Sequence, residues 1–243
     1  MWRGRDDKLQ SPLWCDGVKA VGILGGMGPE ATVLLMQKVI VAVPASDDAD
    51  HVPLIVHQNP QVPSRIRALI EGGAEDPGPV LAAMARGLEA AVAQALAMPC
   101  NTAHHYVDAV KRATKLPFLH MINLTTDALN GQGAKRIGML ASPATRIAGV
   151  FDAPFAAAGL TPVWAAEEAS LLEIIRAVKA GEPREALMPA LWAEAEALCA
   201  AGADHLLIAC TELSMMSGAM PEGIAWTDSL DCLTTAIVQA ARA

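Results

Sequence analysis

Ala20-Val21-Gly22-Ile23-Leu24-Gly25-Gly26-Met27-Gly28-Pro29 reads as a buried strand running into a glycine turn and the first turn of a helix. The continuous apolar run suits a strand covered on both faces, and proline is favoured at the first helical position. The same grammar returns as Arg136-Ile137-Gly138-Met139-Leu140-Ala141-Ser142-Pro143-Ala144-Thr145. Gly22 and Gly138 are 116 residues apart. A second pair recurs at nearly that offset. Ala95-Leu96-Ala97-Met98-Pro99 ends in Cys100, and Leu206-Leu207-Ile208-Ala209 ends in Cys210, 110 residues later. Each half therefore opens with a strand–turn–helix and ends with a strand that delivers a thiol.

Between these landmarks strands and helices alternate. Further strands are predicted at Leu54–His57, Leu116–Ile122 and Thr161–Trp164, and helices at Ala31–Val43, Val80–Ala93, Thr102–Thr114 and Glu168–Ala180. That alternation implies an α/β fold with parallel sheets and right-handed crossovers. The repeat implies two similar α/β domains. The expected division is a loose polar extension over 1–16, a first domain over 17–117 plus 222–243, and a second over 118–221. The closing stretch Ile224–Asp228 and the helix after it are expected to return to the first domain. Open parallel sheets bind ligands at the carboxyl ends of their strands, which is where both cysteines lie.

Composition excludes several classes. Hydrophobic residues make up 53% of the 243 and charged residues 18%, ample for two cores, and the net charge is −8 without a long basic run. Nucleic-acid binding needs a clustered positive surface and is not expected. No apolar stretch has the roughly 18–20 residues of a membrane span, and residues 1–16 lack the apolar centre of a signal peptide, so a cytoplasmic location is expected. Five cysteines without metal-type CxxC spacing fit neither a disulfide framework nor a structural zinc site. Cys15, Cys199 and Cys232 read as small buried hydrophobes.

A cysteine at the start of a helix is a plausible thiolate, because the dipole and free N–H groups lower its pKa. One such thiol with a histidine partner would suit a nucleophile, and His104 and His105 follow Cys100 closely enough to keep that reading open. Two thiols on opposite faces of one cleft suit inversion of a carbon centre better: one removes the proton and the other returns one. Gly25–Pro29 lacks the spacing of a P-loop or a dinucleotide turn. It is either a turn that lets substrate approach backbone N–H groups or a purely structural one. Glu212 either tunes Cys210 or stabilises its helix as a first-turn acid. His57 and His120, at strand ends, read as structural groups.

Taken in order, Ile23–Thr32, Asn59-Pro60-Gln61-Val62-Pro63-Ser64-Arg65, Met98–His104 and Cys210-Thr211-Glu212-Leu213 resemble the aspartate/glutamate racemase family, the aspartate racemase branch most closely. The resemblance runs from about Val18 to the C-terminus. It implies two flavodoxin-like domains related by pseudo-twofold symmetry, an active site in the cleft between them, a homodimer, and racemisation of a small amino acid without a cofactor or metal. Cys100 and Cys210 match the family's acid/base thiols. Asn101, Thr102 and Thr211 match residues that hold the α-carboxylate and ammonium. Met27 and Asn59 fall on the loops that line the site, Ser142 and Thr145 on a loop that contacts substrate. Arg65 matches a position able to pair with a side-chain carboxylate, a task that suits a guanidinium. Glu212 completes the set. The chain departs from the family in two places. Glu167-Glu168-Ala169 stands where a lysine is expected, and Val92 stands where glycine is frequent. Two rival readings use the same residues: a cis–trans isomerase of the maleate type with one cysteine as nucleophile, and a ligand-binding relative without catalysis.

Overall fold

The computed structural model describes residues 17–71, 75–217, 220 and 223–243. The extension 1–16, with Cys15, lies outside the described residues. The rest forms two four-stranded parallel sheets flanked by helices.

The first sheet has the order β2-β1-β3-β4, with β1 Val21–Gly25, β2 Leu54–Gln58, β3 Ala95–Ala97 and β4 Phe118–Leu119. The second has the order β6-β5-β7-β8, with β5 Arg136–Leu140, β6 Thr161–Val163, β7 His205–Ile208 and β8 Trp226–Asp228. The two orders are the same, with the central strand flanked by the second and third. Each repeated glycine sits where its own sheet meets a helix. A Cβ on Gly22 would lie 2.9 Å from Ala93 Cβ and 3.2 Å from Leu88 Cβ. On Gly138 it would lie 3.0 Å from Ala203 Cβ and 3.1 Å from Leu198 Cβ. Such Cβ contacts are tighter than nearly all real ones, so glycine is what lets helix and strand approach this closely.

The helices are α1 Pro29–Val41, α2 Gly78–Ala90, α3 Val107–Ala113, α4 Met121–Gly131, α5 Pro143–Ile147, α6 Asp152–Ala158, α7 Glu168–Lys179, α8 Arg184–Ala200, α9 Thr211–Ser214 and α10 Ser229–Arg242. The helix expected over Thr102–Thr114 is split: Thr102–Tyr106 is a tight 3₁₀ turn and α3 begins only at Val107. Arg67–Glu71 is a single wide turn of π-helix.

The chain's last stretch corrects the expected division. β8 hydrogen-bonds to β7, with Leu206 opposite Trp226 and Ile208 opposite Asp228, so Ile224–Asp228 completes the second sheet rather than the first. The chain crosses back only at α10. Leu230, Leu233, Ile237 and Ala241 are buried with Val21, Ile23, Leu35 and Val39 of the first half. Their apolar spacing gives α10 one greasy stripe, and burying each large side chain contributes about 1.5–3 kcal/mol. The β8–α10 junction is thus where the chain passes from one half to the other, next to the loop of Cys100 and the strand before Cys210.

Among the described residues no helix is long and apolar enough to cross a membrane, and no group of three or more His, Cys, Asp or Glu is placed to hold a metal ion. Cys199 and Cys232 are half-buried at helix surfaces rather than in the core.

Candidate active site

Cys100 follows β3 and Cys210 follows β7, both at the carboxyl ends of their sheets. The two halves face each other there across a cavity of about 140 Å³. Met27, Ser64, Arg65, Ile66, Cys100, Asn101 and Thr102 line it from the first half. Ser142, Ile175, Lys179, Ala209, Cys210, Thr211 and Glu212 line it from the second. A roomier groove of about 470 Å³ lies between α4 and α10. It contains a single half-buried thiol, Cys232. The smaller cavity carries both strand-end thiols together with Arg65 and Lys179, and chemistry rather than size marks it as the candidate site.

Most of the residues singled out from sequence meet in this cavity; two do not line it. Asn59 turns away: its Oδ1 accepts from Gln61 N at 2.9 Å and its amide points at Met84 Sδ. Its backbone packs on Gly26, where a Cβ would lie 2.4 Å from the Asn59 carbonyl carbon. Gly26 also has φ +95°, so glycine is required twice over. Asn59 therefore shapes the Met27 loop without reaching the cavity. Thr145 stands behind the wall. Its hydroxyl lies 2.8 Å from Thr102 Oγ1 and 3.2 Å from Ser142 Oγ, and its N–H donates to Ser142 Oγ. Thr102 and Ser142 are themselves 3.5 Å apart. The three buried hydroxyls join the halves at one edge of the cavity and are suited to donate to a carboxylate.

The thiols differ in setting. Cys210 Sγ donates to Glu212 Oε2 at 3.1 Å, and Glu212 Oε1 pairs with Lys179 Nζ. Burial pushes the Cys210 thiol well above its ordinary pKa, and the Glu212 carboxylate pushes it further; the Lys179 ammonium only partly opposes them. The expectation that a helix start would make this thiol a thiolate fails for a local reason. α9 is only four residues long, and a buried carboxylate sits closer to the sulfur than the helix dipole does. Lys179 is affected in the opposite sense. Burial disfavours its charge, but Glu212 outweighs burial and raises its pKa, so it stays an ammonium. The same ammonium acts electrostatically on both thiols.

Lys179 was missed in the sequence. The absent lysine was sought at Glu167-Glu168-Ala169, but Glu168 pairs with Arg146 at 2.5 Å, away from the cavity. Lys179 comes instead from the far end of the same helix, α7. Three turns of helix lie between the two positions, and nothing in a lone lysine marks which end of α7 points at the cleft. Arg65 stands beside it in the lining. Its Nη1 donates to the Val62 and Pro63 carbonyls at 3.2 and 2.8 Å, while its buried Nε has no protein partner.

His104 is not a base for Cys100. Its Nδ1–H donates to the Cys100 carbonyl at 2.9 Å, and its Nε2 accepts from Met121 N at 3.2 Å. Both ring nitrogens are used, and burial lowers its pKa to about 3. His105 is exposed and turns to the Ala148 carbonyl. The cysteine–histidine nucleophile reading loses its geometry. His120 caps α4, and His57 is exposed at the end of β2.

Comparison with known proteins gives the family and the fold. A family model described as Asp/Glu/hydantoin racemase matches residues 24–240. The chain is 25% identical over 235 residues to the broad specificity amino-acid racemase RacX of Bacillus subtilis, covering 90% of this chain and 96% of that one. Among solved structures, an aspartate racemase from Picrophilus torridus superposes with a TM-score of 0.80 at 30% identity, over 92% of this chain and 94% of that one. A glutamate racemase isoform from Bacillus anthracis shares the fold, with a TM-score of 0.62 at 15% identity over 93% of this chain and 81% of that one.

Proposed function

The chain belongs to the Asp/Glu/hydantoin racemase family, and from that premise we propose that it racemises an acidic amino acid, aspartate first, by proton transfer between two cysteines without a cofactor. The observation that carries this reading is the composition of the cavity: one thiol from each half, with Arg65 and Lys179 beside them. A thiolate on one face removes the Cα proton. The opposite thiol gives its S–H proton to the other face, and the roles exchange for the other enantiomer. Cys210, hydrogen-bonded to Glu212, is suited to begin as the proton donor, which leaves Cys100 to begin as the base. The Thr102–Ser142–Thr145 hydroxyls are suited to the α-carboxylate, where charge grows as the proton leaves. The unpartnered Arg65 Nε and the Lys179 ammonium are suited to a second carboxylate on the side chain.

One feature favours a broader choice of side chain. Ser64, Arg65, Lys179 and Glu212 also line an adjoining cavity of about 410 Å³ whose walls include Val62, Val178 and Met215. A side chain longer than that of aspartate has somewhere to go. Assembly as a homodimer is part of the reading, supported by the exposed apolar residues Val33, Ile40 and Val41 on α1. Sedimentation as a monomer at micromolar concentration would remove that part.

Incubating single enantiomers in D₂O and following the Cα–H signal by NMR tests the activity. Aspartate is expected to exchange, and longer acidic or neutral amino acids to follow more slowly. A panel with no exchange at high enzyme concentration sinks the proposal. A stable covalent adduct on Cys100 or Cys210 would instead favour the isomerase reading.

A further inference from the structure

Asn101 follows Cys100, is 2% exposed and lines the catalytic cavity. Its Nδ2 lies 2.9 Å from Ser229 Oγ, and its Oδ1 has no hydrogen-bond partner in the protein. Ser229 is the first residue of α10, fully buried, and its Oγ lies 3.1 Å from the Ile208 carbonyl at the end of β7. A carbonyl oxygen can only accept, so the single Ser229 O–H proton goes to Ile208. The Ser229 oxygen is then left with lone pairs alone, and the group facing it must be a donor. That decides which way the Asn101 amide stands: its NH₂ faces Ser229, and its carbonyl oxygen is the atom left without a partner. The reverse orientation would set two acceptors against each other and leave a buried NH₂ without a partner, an arrangement that folded proteins avoid.

A buried, unpartnered acceptor on a residue that lines the cavity calls for a donor from the ligand. Amino acids carry one beside Cα, the α-ammonium. We infer that Ser229 is a positioning residue that fixes the Asn101 amide so that its carbonyl oxygen receives the substrate's α-ammonium. Ser229 reaches this task from the β8–α10 junction. One oxygen touches the loop of Cys100 through Asn101 and the strand of Cys210 through Ile208. The inference rests on the racemase reading given above, and it adds a residue that lies outside the cavity lining.

The test compares ligands that differ in the ammonium alone. Aspartate and succinate carry the same two carboxylates, but succinate has no ammonium. In the D₂O exchange assay, Ser229→Ala is expected to raise the KM of aspartate about tenfold, as loss of one well-oriented hydrogen bond to a charged group does. The inhibition constant of succinate should move less than twofold. Ser229→Thr keeps an acceptor oxygen and is expected to stay near wild type. If Ser229→Ala does not fold, Asn101→Ala removes the acceptor itself and should give the same split between the two ligands. Equal weakening of aspartate and succinate would show that the joint is merely structural and overturn the inference. An unchanged KM for aspartate would overturn it too. Absence of exchange in the wild-type protein would instead be a failure of the racemase reading, visible before any variant is made.

Discussion

The two halves share a plan and differ in what surrounds the thiol. Both place a glycine under the helix that crosses their first strand, at Gly22 and Gly138. Both tie the start of that strand with a side chain lying just before the cysteine strand. Gln94 Oε1 accepts from Ala20 N, and the Asp204 carboxylate accepts from Lys135 N and Arg136 N. Both end a strand in cysteine. Two residues beyond, the halves part. The first has Thr102, bound into a hydroxyl cluster; the second has Glu212, bound to Cys210 and Lys179. Two residues further, the first has His104 against the Met121 N–H, and the second has Ser214 donating to Asp228 at 2.8 Å. A duplicated frame holds two thiols in corresponding positions, and local substitutions give them different surroundings. Racemisation asks for that division, since a base and an acid must be ready together.

The largest expected effect comes from breaking the pair itself. Cys100→Ser and Cys210→Ser should each lower racemisation by about 10³-fold or more, since a serine hydroxyl replaces an acid/base group matched to the step. Loss of Cα–H exchange in D₂O is the measurement, and full activity in either variant would refute a two-base scheme.

The next change targets the asymmetry. Glu212→Gln removes the negative charge that, after burial, holds the Cys210 thiol up. The Cys210 pKa should fall, so alkylation of Cys210 by iodoacetamide, mapped by peptide mass spectrometry, should set in at lower pH than in wild type. Racemisation should drop by up to about 100-fold, the low end of what a positioned proton-transfer group contributes. An alkylation profile that does not move would mean that burial alone sets this thiol.

The residues behind the cysteines titrate in opposite senses. His104, lowered to about 3 by burial, stays neutral in the fold while the unfolded side chain gains a proton below 6.5. Its contribution is present above pH 6.5 and is lost as pH falls toward 3. Asp228, raised to about 6 by burial, favours the fold most below 3.8, and that advantage is lost as pH rises through 6. Between pH 5 and pH 7 the His104 gain and the Asp228 loss largely offset each other in wild type, so in urea titrations the stability of His104→Gln should fall from pH 5 to pH 7 relative to wild type, by up to about 1.4 kcal/mol per pH unit. An equal pH dependence in the two proteins would mean that His104 is protonated in the fold.

The smallest expected effect lies at the turn before each cysteine strand. The second half has Gly202 there with φ +92°, whereas the first has Val92 with φ +63°. A β-branched residue in the left-handed region costs about 1–2 kcal/mol, part of which glycine returns as chain entropy. Val92→Gly should stabilise the protein by about 1 kcal/mol in a urea titration, with racemisation unchanged. A loss of stability would mean that the Val92 side chain makes a contact worth more than the strain.

The frame was legible in the chain because it is written in local terms. A strand needs a run of apolar residues, a tight turn needs glycine, a helix start accepts proline, and the repeat at nearly constant offset exposes two such frames with a thiol in each. Cys100 and Cys210 could be picked out because they lie just past those strands, whereas Arg65 was legible only through the resemblance to the racemase family. What the tertiary structure alone decided depends on which ends of distant elements meet. Lys179 reaches the cavity because α7 leans its C-terminal end into the cleft. Asn59 leaves it because its backbone is needed against Gly26. β8 joins the second sheet while α10 packs on the first, which sets Ser229 between Asn101 and Ile208. The charge of Cys210 was decided there as well. Helix-start position argued for a thiolate, but burial beside a carboxylate is a property of the packed site, and at 3.1 Å it outweighs the dipole of a four-residue helix.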